Sequence, residues 1–579
     1  MTTKYQQYRS ANTPVPENTW AWNLYGAGVE NIGNDGKPES FPVPEPADDQ
    51  LLVRIDSVGM CFSDVKVINQ GRNHPKLYNR DLEKYPGRLG HEVSLTIIKV
   101  GEELKKQYYP GQRLAMQPDI YQDGKSTAYG YPIPGGMIQY HLIGAEVLET
   151  DAGACLLPVE AEDMSYAASS LLEPWGCVLG AYRQRRRLAP KAGGIMLIVG
   201  NPGDKREYQF SAGLDAPAKI ILCDAPASVK ALVDATDAEV LVRDGVEDFA
   251  ALSQELAEGE GFDDVILLDP RSANKVSEIA KEIAFRGAMN MVGSQPLDGL
   301  PSSDLGRLHY HYVAFLGNQG PDIAASYGEE RNRCELAADG TAVFIGAGGP
   351  MGQMHVQRAI QMEDGPKVMI ATDVNESRLD ALNERFVPLA EEYGKKLYVI
   401  NPITSEQSLY DLVMELTDNK GAEDVVASVP SAALMTEADT LMNENGMMVF
   451  FAGIPNGTMG ELNLSNVYLH NAQYTGTSGL TIDDQAAVLQ RAEEGVLSPG
   501  RMVAAIGGMN AGLDAIHGVV NSSYPGKIVI FPQIENMPLM SLDELAEKLP
   551  DVAEKLGEGN VWTPEAEEAL IETYWMPAE

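Results

Sequence analysis

Four glycines within seven residues carry the first chemistry visible in this sequence: Gly346, Gly348, Gly349 and Gly352, with Pro350 and Met351 between the last two. The preceding run, Thr341-Ala-Val-Phe-Ile, has the pattern of a short buried parallel strand. A helix-compatible segment, 353–361, follows. Strand, glycine turn and helix together form the context for dinucleotide binding. The glycines let the backbone turn tightly and approach a pyrophosphate, whose charge then faces the helix N-terminus. The spacing, Gly-x-Gly-x-x-x-Gly, is one residue longer than the strict fingerprint. A second apolar run, 367–372, ends in Asp373, 21 residues after Gly352. A carboxylate there accepts the adenosine ribose hydroxyls and repels a 2′-phosphate. The expectation is NAD rather than NADP, held by Gly346, Gly348, Gly349, Met351, Gly352 and Asp373.

A second set of residues could hold a metal. A strand-like run, 51–58, leads into Gly59-Met-Cys61-Phe-Ser63-Asp64. Leu89-Gly90-His91-Glu92 precedes another strand, and Leu171-Leu-Glu173-Pro174 comes later. A thiol, an imidazole and two carboxylates suit Zn²⁺. Their separations in sequence do not establish proximity. On composition alone the preferred reading is the plainer one, a buried cysteine, a surface histidine and ordinary carboxylates.

These motifs, in this order and upstream of a dinucleotide site, resemble the zinc-dependent medium-chain dehydrogenase/reductase superfamily, especially its polyol, threonine and sugar-alcohol dehydrogenases. Tyr109-Pro-Gly-Gln-Arg113, Gly135-Gly-Met-Ile-Gln-Tyr140 and Gly526-Lys-Ile-Val-Ile-Phe-Pro532 resemble smaller family signatures, and the likeness spans roughly 20–535. Within the superfamily the chain resembles the L-sorbose-1-phosphate reductase type. The resemblance implies Cys61, His91 and Glu173 as zinc ligands, and Glu92 as an acid that exchanges on and off the metal. It implies Ser63 as the start of a proton relay and Asp64 as the residue orienting the site. Zinc would acidify a substrate alcohol, and hydride would pass to the nicotinamide. The lobe that binds a structural zinc in many members has no cysteine here between Ala115 and Gly136, so one catalytic zinc per chain is expected. That segment reads as a solvated loop with a polar and aromatic face, and His74 as a loop residue.

The chain has 579 residues, with 44 Lys and Arg against 83 Asp and Glu, a net charge of −39. Such a surface repels nucleic acid and anionic membranes, which excludes both as expected partners. The five cysteines, at 61, 155, 177, 223 and 334, are too scattered for a disulfide framework. No apolar run approaches membrane-spanning length, and the first residues lack a signal-peptide core. The expectation is a cytoplasmic protein with a small-molecule polyol or sugar substrate, assembling as a homo-oligomer, as the family usually does.

More sequence separates Glu173 from the closing strand than one nucleotide-binding domain needs, and the excess reads as a duplication. His470, Gly476 and Gly479 each follow His311, Gly317 and Gly320 by 159 residues. Gly421-Ala-Glu-Asp-Val425 follows Gly261-Phe-Asp-Asp-Val265 by 160, and Arg331-x-Arg333 follows Arg185-x-Arg187 by 146. The copies differ at the glycine turn, where Pro202 and Arg206 of the first face Gly348 and Gly352 of the second. The first copy keeps a second-strand acid, Asp224. It is expected to have lost ordinary dinucleotide binding and to serve structure. Two other roles stay open: holding subunits together, or taking another anion through Lys205 and Arg206.

The expected architecture is α/β: a GroES-like, β-rich catalytic domain with two tandem Rossmann-like, doubly wound domains. The expected boundaries are 1–180 for the first part of the catalytic domain, 181–325 for the degenerate copy, 326–481 for the NAD-binding copy and 482–535 for the returning part. An acidic appendix, 536–579, should form two short helices, started by a Ser541/Glu544 capping box and by Thr563-Pro564. The expected activity is zinc-dependent hydride transfer between NAD(H) and a secondary alcohol or ketone of a polyol, sugar or sugar phosphate. Two alternatives remain: a threonine-type or other alcohol dehydrogenase, and a catalytically silent NAD-binding protein.

Overall fold

The computed structural model describes residues 3–183, 186–477 and 479–578. Arg185, one of the residues aligned in the duplication, lies outside them. The chain divides into two compact units, Met1–Leu179 with Gly479–Glu579, and Gly180–Ser478. The described residues include no helix long and apolar enough to cross a membrane.

The first unit is built on an eight-stranded sheet. Its central strand, Leu51–Met60, is buried along its whole length. It pairs antiparallel with Glu92–Val100 on one side and with Lys527–Phe531 on the other. The returning segment therefore completes the sheet: Val503–Gly508 lies beside Lys527–Phe531, and Met540–Ser541 closes that edge. The helix expected around 486–494 spans Ile482–Glu493. It opens on a reciprocal cap between Thr481 and Asp484.

The acidic tail packs on this unit. Ser541 and Glu544 exchange backbone-to-side-chain hydrogen bonds of 2.7 and 3.3 Å. The Thr563 hydroxyl caps the helix Pro564–Tyr574. From that helix the buried Glu567 carboxylate accepts the Tyr166 and Ala167 amides at 2.5 and 2.9 Å. It thereby caps Tyr166–Ser170, the helix that runs on into Leu172–Gly180 and carries Glu173. The N-terminal helix, Lys4–Ser10, joins the same cluster, with the Tyr8 ring 5.0 Å from Trp575 and 5.4 Å from Tyr166.

The second unit contains the two copies, whose strands are β1–β7 and β8–β14. In copy one these are β1 (Ile195–Val199), β2 (Lys219–Cys223), β3 (Glu239–Val242), β4 (Phe262–Leu268), β5 (Ile283–Val292), β6 (Ser302–Asp304) and β7 (Ala314–Asn318). In copy two they are β8 (Thr341–Ile345), β9 (Val368–Thr372), β10 (Lys396–Ile400), β11 (Ala422–Ala427), β12 (Met442–Phe450), β13 (Met459–Glu461) and β14 (Gln473–Thr475). The sheet orders are β3-β2-β1-β4-β5-β7 and β10-β9-β8-β11-β12-β14, all parallel. Each is the doubly wound order with its switch point beside the first strand. A buried ion pair recurs at the same place in both copies. Arg187 meets Asp264 at 2.9 Å, and Arg333 meets Asp424 at 2.8 Å.

One difference between the copies is large. Copy two has the helix Pro350–Gln361 between its first two strands. Copy one has no helix between β1 and β2. Arg206, which faces Gly352 in the alignment, instead bonds Asp204, Asp269 and Tyr208. With no helix after β1, copy one lacks at that turn the helix N-terminus that would face a pyrophosphate.

Candidate metal centre and coenzyme crevice

The metal-centre residues converge because strand register places them together. Cys61 ends the strand Leu51–Met60 and starts the helix Phe62–Gln70, while Glu92 begins the neighbouring strand. Gly59 is the register partner of Glu92, and a Cβ on Gly59 would overlap the Glu92 carboxylate. The missing side chain makes room for that carboxylate. Among the described residues, one ligand atom from each of Cys61, His91 and Glu92 lies within 4.8 Å of the others. His91 and Glu92 are buried and Cys61 is half-buried.

Asp64 organises this group. Its carboxylate accepts the Cys61 amide at 3.1 Å, the Gly90 amide at 3.1 Å and His91 Nδ1 at 3.3 Å. A carboxylate can only accept, so Nδ1 carries a proton and Nε2 is the atom that would ligate a metal. Burial opposes ionisation of Asp64, but the His91 ring and the two amides outweigh it and hold the carboxyl below its usual range. Ser63 sits half-buried in the first turn of the same helix.

Glu92 is fully buried, with one oxygen paired to Lys527 and the other, Oε2, lacking any hydrogen-bond partner. A buried, unsatisfied carboxylate oxygen beside a thiol and an imidazole is suited to holding a cation. The donor set of S, N and O fits zinc. Glu173 stands outside this close trio. Burial pushes its carboxyl up to about 7, with His91 opposing, Glu92 adding to the rise and Lys527 opposing. The Cys177 thiol donates to Glu173 Oε1 at 3.7 Å, and its own pKa is raised by burial and by that carboxylate.

Three neighbours of the site had no signal in the sequence. Lys527 lies 435 residues from Glu92, Cys177 is one turn beyond Glu173, and Tyr131 comes from the segment read as a solvated loop. The Tyr131 ring lies 5.9 Å from the His91 ring and 5.4 Å from that of His74. The Lys76 ammonium stands 5.0 Å from its centre. His74 is thus part of an aromatic wall, and burial and Lys76 lower its pKa to about 4.

In copy two, Gly346 turns the chain after β8 with φ +71°. Gly349 precedes the helix Pro350–Gln361, whose first turn holds Met351 and Gly352. A Cβ on Gly352 would come within 2.6 Å of Ala347, so this glycine permits the close strand-to-helix packing. A Cβ on Gly349 would meet nothing within 4 Å, which leaves open space over the helix N-terminus. Asp373, at the end of β9, accepts the Gly348 amide at 3.1 Å. Arg378 stands 3.8 Å from the same carboxylate. In copy one the matching Asp224 accepts the Gly245 amide of its own loop at 3.0 Å.

Two family models match on these motifs. The alcohol dehydrogenase GroES-like domain covers residues 47–150, and the zinc-binding dehydrogenase domain covers 350–494. The second match begins at the copy-two helix. The chain belongs to the zinc-dependent medium-chain dehydrogenase/reductase superfamily, and it is an NAD(P)-linked dehydrogenase of alcohols. Among known proteins it is similar to a mannitol-1-phosphate 5-dehydrogenase of Aliivibrio fischeri, at 24% identity over 92% of this chain and 94% of the relative. It is also similar to an L-sorbose 1-phosphate reductase of Klebsiella pneumoniae, at 22% identity over 96% of this chain and 98% of the relative. A human sorbitol dehydrogenase shares 40% over a local stretch of 84 residues, 14% of this chain and 22% of that enzyme. Among solved structures, the 2R,3R-butanediol dehydrogenase of Bacillus subtilis aligns with TM-score 0.50 and 14% identity, over 89% of this chain and 99% of that one. That likeness shows the shared fold.

Proposed function

We propose that the chain oxidises a secondary alcohol of a sugar alcohol phosphate with NAD, or reduces the matching ketone with NADH. The observation that carries this reading is the buried Glu92 oxygen without a partner, set beside Cys61 and His91. Lys527 pairs with the other oxygen, which leaves Oε2 buried and unsatisfied unless a second cation meets it. Cys61, His91 and Glu92 would hold a zinc ion, with Glu173 beside them. When bound, zinc supplies the Lewis acidity that makes a substrate hydroxyl acidic near neutral pH.

The protein residues do the rest. Asp64 keeps the His91 proton on Nδ1 and orients the ring. Lys527 balances the Glu92 charge in a buried setting. Glu173, with a pKa near 7, can hold or release a proton at working pH. Ser63 is placed as the first group of a proton path from the substrate hydroxyl. In the other unit Asp373 takes the adenosine ribose and favours NAD. A cytoplasmic setting, supported by five free cysteines, and assembly of several chains belong to the same proposal.

The phosphorylated substrate class is supported by two of the relatives that span most of this chain, both named for hexose-derived 1-phosphates. Incubation with NAD and a panel of hexitol phosphates, free hexitols, 2,3-butanediol and threonine tests it. NADH should form fastest with a hexitol phosphate. Preference for threonine or for an unphosphorylated diol would overturn the substrate class.

A further inference from the structure

The two copies meet as the subunits of a twofold dimer meet. Strand β6 pairs antiparallel with its own counterpart β13, Ser302 opposite Glu461 and Asp304 opposite Met459. Tyr468, on the helix Ser465–His470, packs against Gly317, where a Cβ would come within 2.5 Å of Tyr468 Cβ. Its counterpart His309, on the helix Leu305–Tyr310, packs in the same way against Gly476, with 3.2 Å from a Cβ there to His309 Cα. Gly476 follows Gly317 by 159 residues, and Tyr468 follows His309 by the same number. Residue i of copy one touches residue j of copy two, and the equivalents of j and i touch in return. That is the definition of an isologous interface, here made within a single chain. A single apolar cluster, including Val265, Met289, Val425 and Tyr468, runs through both copies.

The same contacts bring copy one to the ligand edge of copy two. His309 is buried, and its Nδ1 lies 3.1 Å from the carbonyl of Phe450, the last residue of β12. Tyr310, 38% exposed, occupies the space beside Gly453 in the loop after β12, where a Cβ would overlap its hydroxyl. Gly476 begins the loop after β14. These loops lie at the C-terminal ends of the strands, the edge where doubly wound sheets bind ligands. Asp373 directly follows β9, on one side of β8, while β11, β12 and β14 lie on the other. A dinucleotide straddles the switch point. With its adenosine half on the Asp373 side, its nicotinamide half reaches the β12 and β14 loops.

We infer that copy one is a built-in partner subunit for copy two, and that its Tyr310 contacts the nicotinamide half of the coenzyme. The inference rests on the reading of copy two as the coenzyme domain. It gives the degenerate copy a role that explains its two features: a decayed binding loop of its own, and a retained interface.

The test is binding of NADH and of ADP-ribose, which lacks the nicotinamide, to the full-length protein and to Tyr310→Ala and Tyr310→Phe. The unmodified protein should bind both. Tyr310→Ala should weaken NADH about tenfold, the weight of a ring contact with a hydrogen bond, and leave ADP-ribose and the melting temperature unchanged. Tyr310→Phe should recover part of the loss. Equal effects on both ligands, or none on either, would overturn the Tyr310 contact. Failure of the unmodified protein to bind either ligand would instead overturn the coenzyme assignment, and the inference with it.

Discussion

His91 Nδ1 and Asp64 Oδ1 are 3.3 Å apart, and the same carboxylate also takes the amides of Gly90 and Cys61. One side chain therefore fixes the ring of one candidate ligand and the backbone of another. Asp64→Asn keeps the size and can turn an amide N–H toward Nδ1, favouring the wrong tautomer. Zinc affinity, read by competition with a chelator, should fall by about 10- to 100-fold. An unchanged affinity would mean that Asp64 only caps its helix.

Asp373 sits between the Gly348 amide and Arg378. In Asp373→Ser the repulsion of a 2′-phosphate is gone and Arg378 can pair with it. The ratio of kcat/KM for NADP over NAD should rise about tenfold or more, the scale of one charge-assisted hydrogen bond. A fixed ratio would place coenzyme discrimination elsewhere.

Lys76 brings a cation to the Tyr131 wall, where it also meets Asp119 at 3.6 Å. If that wall faces the phosphate of the substrate, Lys76→Met should raise KM for a hexitol phosphate about tenfold. KM for the free hexitol should stay the same. A parallel rise for both would assign Lys76 to structure.

Asp424 is buried against Arg333, and burial raises its carboxyl to about 6 despite that partner. The folded state therefore binds this proton more tightly than the unfolded chain, whose carboxyl titrates near 3.8. The stability this proton lends is fully present below that value and is lost as pH rises through 6. The loss amounts to up to about 3 kcal/mol. Urea unfolding at several pH values between 4 and 7 should show a smaller decline with pH for Asp424→Asn than for the unmodified protein. Identical slopes would show that the Arg333 charge already cancels the burial cost.

The parts of this molecule legible in the sequence are those whose signals are local. A glycine turn between a strand and a helix, and Gly-His-Glu beside a strand, depend on neighbours within a few residues. The duplication was legible because both copies keep the same order of glycines and acids. Long-range pairing left no such mark. Nothing near Lys527 points to Glu92, since strand register alone joins them across the sheet. The loss of the copy-one helix follows Pro202 and Arg206, which signalled a broken site without saying that 200–218 would form loops. The exchange of contacts between Gly317 and Tyr468, and between Gly476 and His309, became visible only when the two copies lay face to face.

On the proposed function, Cys61, His91 and Glu92 hold a zinc ion that the dehydrogenase reaction requires. This is tested most directly by zinc content together with NAD-dependent turnover, in the unmodified protein and in Cys61→Ala. About one zinc per chain is expected, the number for an open catalytic site. In the variant both zinc and turnover should be lost while NADH binding is kept. A protein that carries no zinc and takes none up, or a Cys61→Ala variant with unchanged turnover, would contradict it.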